Sequence, residues 1–199
     1  MFSAKTYAAR RNMLRTKIGS GIVLFPGNPL SPNNYPNNAY YFRQDSSFLY
    51  YFGLNIPSLA GLIDANTGEE ALYGDDFTVE DIIWTGPQPT LRELGAKVGI
   101  AATHPLSELE KRLRKAISLG RKIHFLPPYR GETKLWLSSL LGIKPTLLHD
   151  YKSVDLMFAV AEMREKKSAE EVEAMERAFL IGYQMHTCLL YTSDAADEL

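Results

Sequence analysis

Apolar residues recur at helical spacing over residues 3–18 (Tyr7, Ala8, Met13, Leu14, Ile18) among basic side chains, and Gly19-Ser20-Gly21 ends the helix they predict. Residues 21–25 then predict a short buried strand. Residues 26–38 hold four prolines and five asparagines, which predicts a loop, because proline fixes φ and asparagine tolerates left-handed geometry. Residues 47–52, 59–64 and 70–74 predict sequential strands. Phe42, Phe48, Tyr50 and Phe52 alternate as on a strand buried on one face, and Asn66-Thr67-Gly68 predicts a hairpin turn between the last two strands.

Beyond these, residues 77–82 predict a helical turn, and Gly86-Pro87-Gln88-Pro89 a rigid loop leading to a short helix through Leu94. A strand over 97–101, an amphipathic helix over 106–119 ended by Gly120, and a strand over 122–126 follow. Two more helices are expected over 129–141, closed by Gly142, and over 150–165. A meander followed by β-α-β units predicts an α/β fold whose mixed β-sheet is flanked by helices. Residues 164–168 (Arg-Glu-Lys-Lys-Ser) form a charged connection into a new helix, with Ser168 and Glu171 at capping-box spacing, so a first domain is expected over 1–164. The new helix bears an apolar stripe of Val172, Met175, Ala178, Phe179 and Gly182, and breaks near Thr187 into a string with neither cap nor stripe.

The 199 residues, 45% of them hydrophobic, suffice for a globular domain with its own core. With 22 Lys and Arg against 23 Asp and Glu, no basic surplus announces a nucleic-acid or membrane partner. No apolar run reaches the roughly 18 residues that span a bilayer, and the N-terminus is polar, so a cytoplasmic location is expected. A lone cysteine, Cys188, excludes a disulfide within the chain. Back-translated, residues 188–198 of the 188–199 tail resemble read-through of a transposon-end sequencing adapter. On that reading they are foreign to the protein, Asp194, Asp197 and Glu198 form no metal site, and the native chain continues past Thr187. A frayed native tail is the alternative.

Candidate chemistry is sparse. Asp75 and Asp76 follow Gly74 and read as solvated turn residues, since a cation site needs several more oxygens. His104, His124, His149 and His186 are dispersed, without a spacing that puts two nitrogens on one metal. Ser46 and Ser47 lack a nucleophile elbow, and Gly19-Ser20-Gly21 precedes a strand, the wrong context for phosphate. Arg43 and Asp45, two apart on an extended segment, share a face and suit a structural ion pair or loop anchor better than a substrate pair.

Three segments together resemble the aminopeptidase P (Xaa-Pro aminopeptidase) family: residues 41–53 with Arg43-Gln44-Asp45-Ser46-Ser47-Phe48, Ile83-Trp84-Thr85-Gly86-Pro87, and residues 163–171. The resemblance implies the N-terminal domain of that family, with Arg43, Gln44, Asp45 and Phe48 as its structural signature. It implies a following pita-bread catalytic domain that is not in this chain, of which 165–187 would be the linker and first helix. That domain would hold two manganese ions on two Asp, one His and two Glu, and hydrolyse the bond between an N-terminal residue and a following proline. The fragment itself is then expected to be inactive, to bind no metal, to narrow access to the catalytic site and to build a homo-oligomer contact. Trp84 matches a tryptophan that the family projects toward an active site, in oligomeric members a neighbour's. Packing at a domain edge is its bland alternative. A prolidase acting on Xaa-Pro dipeptides, a non-catalytic peptide-binding or assembly module, and a standalone oligomerisation domain remain as rival readings.

Overall fold

Ser3 accepts a hydrogen bond from the Thr6 N–H at 3.2 Å and starts α1 (Ala4–Ile18), which Gly19 stops at φ +75°. The computed structural model describes residues 1–35 and 38–192 and divides the chain into two compact units, 1–161 and 162–199. The buried face of α1 is Tyr7, Arg10, Arg11 and Leu14 rather than the purely apolar set, and Met13 is exposed.

The first unit is built on five strands, β1 (Ile22–Pro26), β2 (Ala60–Asp64), β3 (Glu70–Tyr73), β4 (Ala102–His104) and β5 (Ile123–His124), in the order β4-β3-β2-β1-β5. β2 runs antiparallel to β1 and β3, while β1 pairs parallel with β5 and β3 with β4, so the sheet is mixed as expected. Register fixes the two faces. Ile22, Leu24, Ala60, Leu62, Ala71 and Tyr73 form one core with Leu109 and Leu113 of α5 (Leu106–Ser118) and Leu137 and Leu140 of α6 (Gly131–Leu141). On the opposite face Phe25 meets the rings of Tyr51 and Phe52 at 4.8 and 6.0 Å, and Gly61 admits the Phe52 ring where a Cβ would collide with it.

Residues 47–52 form not the expected strand but part of a helix, α2 (Ser46–Phe52). The Asp45 carboxylate accepts from the Ser47 and Phe48 N–H groups at 2.9 and 2.8 Å, and Gly53 closes the other end at φ +66°. Caps at both ends outweigh the β-propensity of the aromatics, which at helical spacing put Phe48, Tyr51 and Phe52 on one buried face. The strand expected over 97–101 is also absent: α4 (Leu91–Lys97) runs to Lys97, and Gly99 at φ +75° turns the chain so that the Ile100 N–H reaches the Gly95 carbonyl. Val98 and Ile100 are buried as the inside of that turn.

Between β3 and α4 lies α3 (Val79–Thr85). α7 (Val154–Glu165) begins later than residue 150, because Ser153 caps it and residues 145–151 are turns. In the second unit the Ser168–Glu171 capping box forms as predicted and starts α8 (Ala169–Thr192). This helix continues past Thr187, the expected break, since Cys-Leu-Leu-Tyr holds no proline or glycine to end it. Asp194, Asp197 and Glu198 lie outside the described residues.

Candidate functional site

Four strands, β1, β3, β4 and β5, point the same way, and the loops leaving their C-terminal ends gather on one edge of the sheet, where α/β folds characteristically bind ligands. The segment after β3 carries α3 out from that edge. Its base is held by the two adjacent carboxylates: Asp75 Oδ1 accepts from the Leu106 N–H at 3.1 Å and Asp76 Oδ1 from the Leu91 N–H at 2.5 Å, capping α5 and α4. Both residues are exposed, as expected of solvated turn residues, and each also anchors the start of a helix. A capping box starts α3, with Thr78 donating through its N–H to Asp81 Oδ2 and its hydroxyl accepting from the Asp81 N–H. Hydrogen bonds from the Thr78 hydroxyl and N–H hold the Asp81 carboxyl below the usual carboxylate range.

No residue of α3 is buried, and Val79, Ile83 and Trp84 are 77%, 74% and 83% exposed. Trp84 is therefore not packed at a domain edge within this chain. A cleft of about 310 Å³ lies at the foot of α3, lined by Ile56, Pro57, Phe77 and Pro89 among others, and a second of about 260 Å³ lies between Pro29, Leu106 and Trp136. Ser58 and Leu59 line both. Ser58, at φ +60°, is the only non-glycine with positive φ among the described residues, and its N–H donates to the Asn28 carbonyl.

The signature block organises the same edge from within. Gln44 is buried: its Oε1 accepts from the Asn28 and Asp45 N–H groups at 2.6 and 3.0 Å, and its Nε2 donates to the Ile56 carbonyl at 2.7 Å. Asn28 Nδ2 returns a bond to the Arg43 carbonyl. Arg43 thus contributes backbone while its side chain is exposed, and Asp45 is committed to capping α2 rather than to an ion pair with Arg43. Phe48 is fully buried and stacks on Phe52 at 5.0 Å. These four residues shape the scaffold, and Trp84 alone of the sequence candidates faces solvent as a large apolar group.

The residues present do not fit a metal centre: among the described residues no three His, Cys, Asp or Glu side chains are grouped to hold an ion. Two buried charged centres escaped the sequence reading. Arg11, wholly buried, donates to Glu70 Oε2 at 2.7 Å and to the Tyr51 and Val98 carbonyls at 3.0 Å each. Asp64 takes a two-pronged bond from Arg121 at 2.6 and 2.8 Å and accepts from the Asn66 and Thr67 N–H groups. Burial alone would raise the Asp64 pKa, but the hydrogen bonds from Arg121 and from the Thr67 and Asn66 backbone outweigh it and hold the group below the usual range. Their sequence signals were a double arginine on the inner face of α1 and an Asp two residues before an Asn-Thr-Gly turn.

Among the described residues no helix is long and apolar enough to cross a membrane. Among curated proteins, the uncharacterised peptidase YFR006W of Saccharomyces cerevisiae is 24% identical over 186 residues, 94% of this chain and 32% of the relative. "Probable Xaa-Pro aminopeptidase AFLA_084750" of Aspergillus flavus is 23% identical over 149 residues, 74% of this chain and 26% of the relative. Aminopeptidase P from E. coli in a low-pH form superposes with a TM-score of 0.76 at 22% identity, covering 94% of this chain and 44% of that one. The Zn-substituted E. coli enzyme in complex with product gives 0.75 over the same shares. These likenesses establish the fold, and the chain spans a third or less of the curated relatives and under half of the solved structures. The family model described as the N-terminal domain of aminopeptidase P matches residues 7–126, more than half of the chain, and the chain belongs to that family.

Proposed function

We propose that this chain is the N-terminal part of a cytoplasmic, homo-oligomeric Xaa-Pro metalloaminopeptidase, a manganese-dependent hydrolase that removes the residue preceding a proline. The observation that carries this reading is the family match over residues 7–126, together with relatives named as Xaa-Pro aminopeptidases. In this reading hydrolysis belongs to a domain outside this segment, and among the described residues no three His, Cys, Asp or Glu side chains are grouped to hold an ion. Residues 1–164 form the N-terminal domain, a boundary supported by the division between residues 161 and 162. Residues 165–187 start the catalytic domain, and 188–199 are foreign to it.

In this reading the 199-residue chain is inactive, and its part in the enzyme is to narrow access to the metal site and to contact a neighbouring subunit. Trp84, held out on α3, supplies an apolar wall for the substrate's first side chain and proline ring. The test begins with sequencing the source DNA outward from the Thr187 codon. The resulting full-length protein is then assayed with Mn²⁺ on a peptide bearing proline at its second position and on an Xaa-Pro dipeptide. Hydrolysis of the longer peptide, lowered by Trp84→Ala, is the expected result. Cleavage of the dipeptide alone would make it a prolidase, and absence of both activities a binding or assembly module.

A further inference from the structure

His124, at the edge strand β5, is 3% exposed and wedged between two other elements. Its ring lies against Gly21, where a Cβ would come within 2.8 Å of Nε2, so only glycine lets the imidazole close in. Nε2 is 3.1 Å from the Ser20 carbonyl, and Nδ1 is 2.6 Å from the hydroxyl of Ser153, itself 2% exposed. Ser153 is the residue that starts α7: its Oγ accepts from the Leu156 N–H, its carbonyl accepts from the Met157 N–H, and its own N–H donates to the Phe125 carbonyl beside β5.

These partners admit one proton arrangement. A carbonyl only accepts, so Nε2 carries the hydrogen, and Nδ1 accepts the Ser153 hydroxyl proton while that oxygen accepts from Leu156. Every group is satisfied with the ring neutral. A second proton on Nδ1 would turn the Ser153 hydroxyl hydrogen out with no acceptor, and would set a cation at the N-terminal, positive end of α7.

We propose that His124 is a pH-sensitive latch: the neutral imidazole fastens the start of α7 to the sheet, and its protonation releases that helix end. The end released is the N-terminal one, which lies within the first unit. The charged groups around the latch are few. Lys122, two residues before His124, opposes protonation and Asp155 of α7 favours it, and these two are paired at 3.0 Å. Arg121 reaches the Gly21 carbonyl but is held by Asp64, and Lys152 turns to the His149 carbonyl. Burial is the largest influence and keeps the ring below the ordinary histidine value.

The test is amide exchange by NMR on the 199-residue chain from pH 8 to 5, with imidazole nitrogen spectra. The expected tautomer is Nε2–H, and protection of Leu156 and Met157, corrected for intrinsic rates, is flat above about pH 7 and falls by up to about tenfold per pH unit below about 6.5. His124→Asn, which keeps an acceptor for Ser153 and cannot titrate, is expected to abolish the pH response. Protection that stays flat in the wild type, a response that survives in His124→Asn, or an Nδ1–H tautomer would each overturn the latch. The wild-type spectra decide the matter even if the variant fails to fold.

Discussion

Replacing Arg11 by methionine tests whether the first unit is pinned by one buried cation. The side chain is wholly buried and joins four elements: α1, which carries it, β3 through Glu70, the C-terminal end of α2 through the Tyr51 carbonyl, and the turn after α4 through the Val98 carbonyl. Methionine fills most of the volume and removes all three bonds. Two carbonyls then lose their buried donor, each worth about 1–3 kcal/mol when left unmet. Glu70 loses its partner but keeps a 20% exposed side chain and rehydrates, so its share is the smaller one. The sum falls near the roughly 3–5 kcal/mol that breaking a buried ion pair costs. Urea titration followed by circular dichroism is expected to show that loss, with a drop in Tm of roughly 6–20 °C for a unit of this size. Lysine at the same place is expected to recover part of it, because an ammonium reaches Glu70 but cannot fork to both carbonyls. A loss under about 1 kcal/mol for Arg11→Met would refute the reasoning and mark Arg11 as replaceable packing.

Asp64 should make the fold acid-sensitive. Its folded pKa lies below its unfolded one, so the stability it contributes is present above the ordinary carboxylate value, about 3.9, and is lost as pH falls through the folded value. Asp64→Asn is expected to cost about 2–4 kcal/mol at pH 7 and to flatten the denaturation profile below about pH 4, and an unchanged acid limb would contradict the assignment. Asp45→Ala, which uncaps α2, is expected to cost about 1 kcal/mol in urea titrations, whereas a strand-like role for residues 46–52 predicts almost none. Trp84→Ala should leave the stability of this chain to urea unchanged within about 0.5 kcal/mol, since the ring is 83% exposed, and a larger loss would return Trp84 to the role of a packing residue.

The mixed sheet was legible because its central strands are short unbroken apolar runs, buried on both faces, and the β2–β3 turn has its own chemistry, Asn66-Thr67-Gly68. α2 was not, because aromatic residues favour strands, while the information that makes the segment helical sits at its two ends, in Asp45 and Gly53. Residues 97–101 misled for the opposite reason: an apolar run reads the same whether it pairs in a ladder or lines a turn, and Gly99 decided for the turn. Trp84 was singled out as a candidate only through resemblance. Nothing in the spacing of Asp75 and Asp76 says that their carboxylates cap helices starting at residues 106 and 91, since those partners come together only in the fold.

That pair also explains how an exposed apolar helix can be useful. α3 has no fully buried residue, and Val79, Ile83 and Trp84 in particular add little stability to their own unit; exposed apolar surface of this kind marks contact sites. A loop free to move would lose conformational entropy on meeting a partner and weaken the contact. Here the arm is fixed before any partner arrives: Asp75 and Asp76 tie its base to two helix N-termini, the Thr78–Asp81 box stiffens its entry, and Pro87 and Pro89 restrict its exit. Under the proposed function, the Asp75 and Asp76 carboxylates serve the aromatic residue by holding the segment from which Trp84 projects. Rigidity at the base and apolar exposure at the tip are separable by mutation, which is what a presenting arm requires and a packing helix does not.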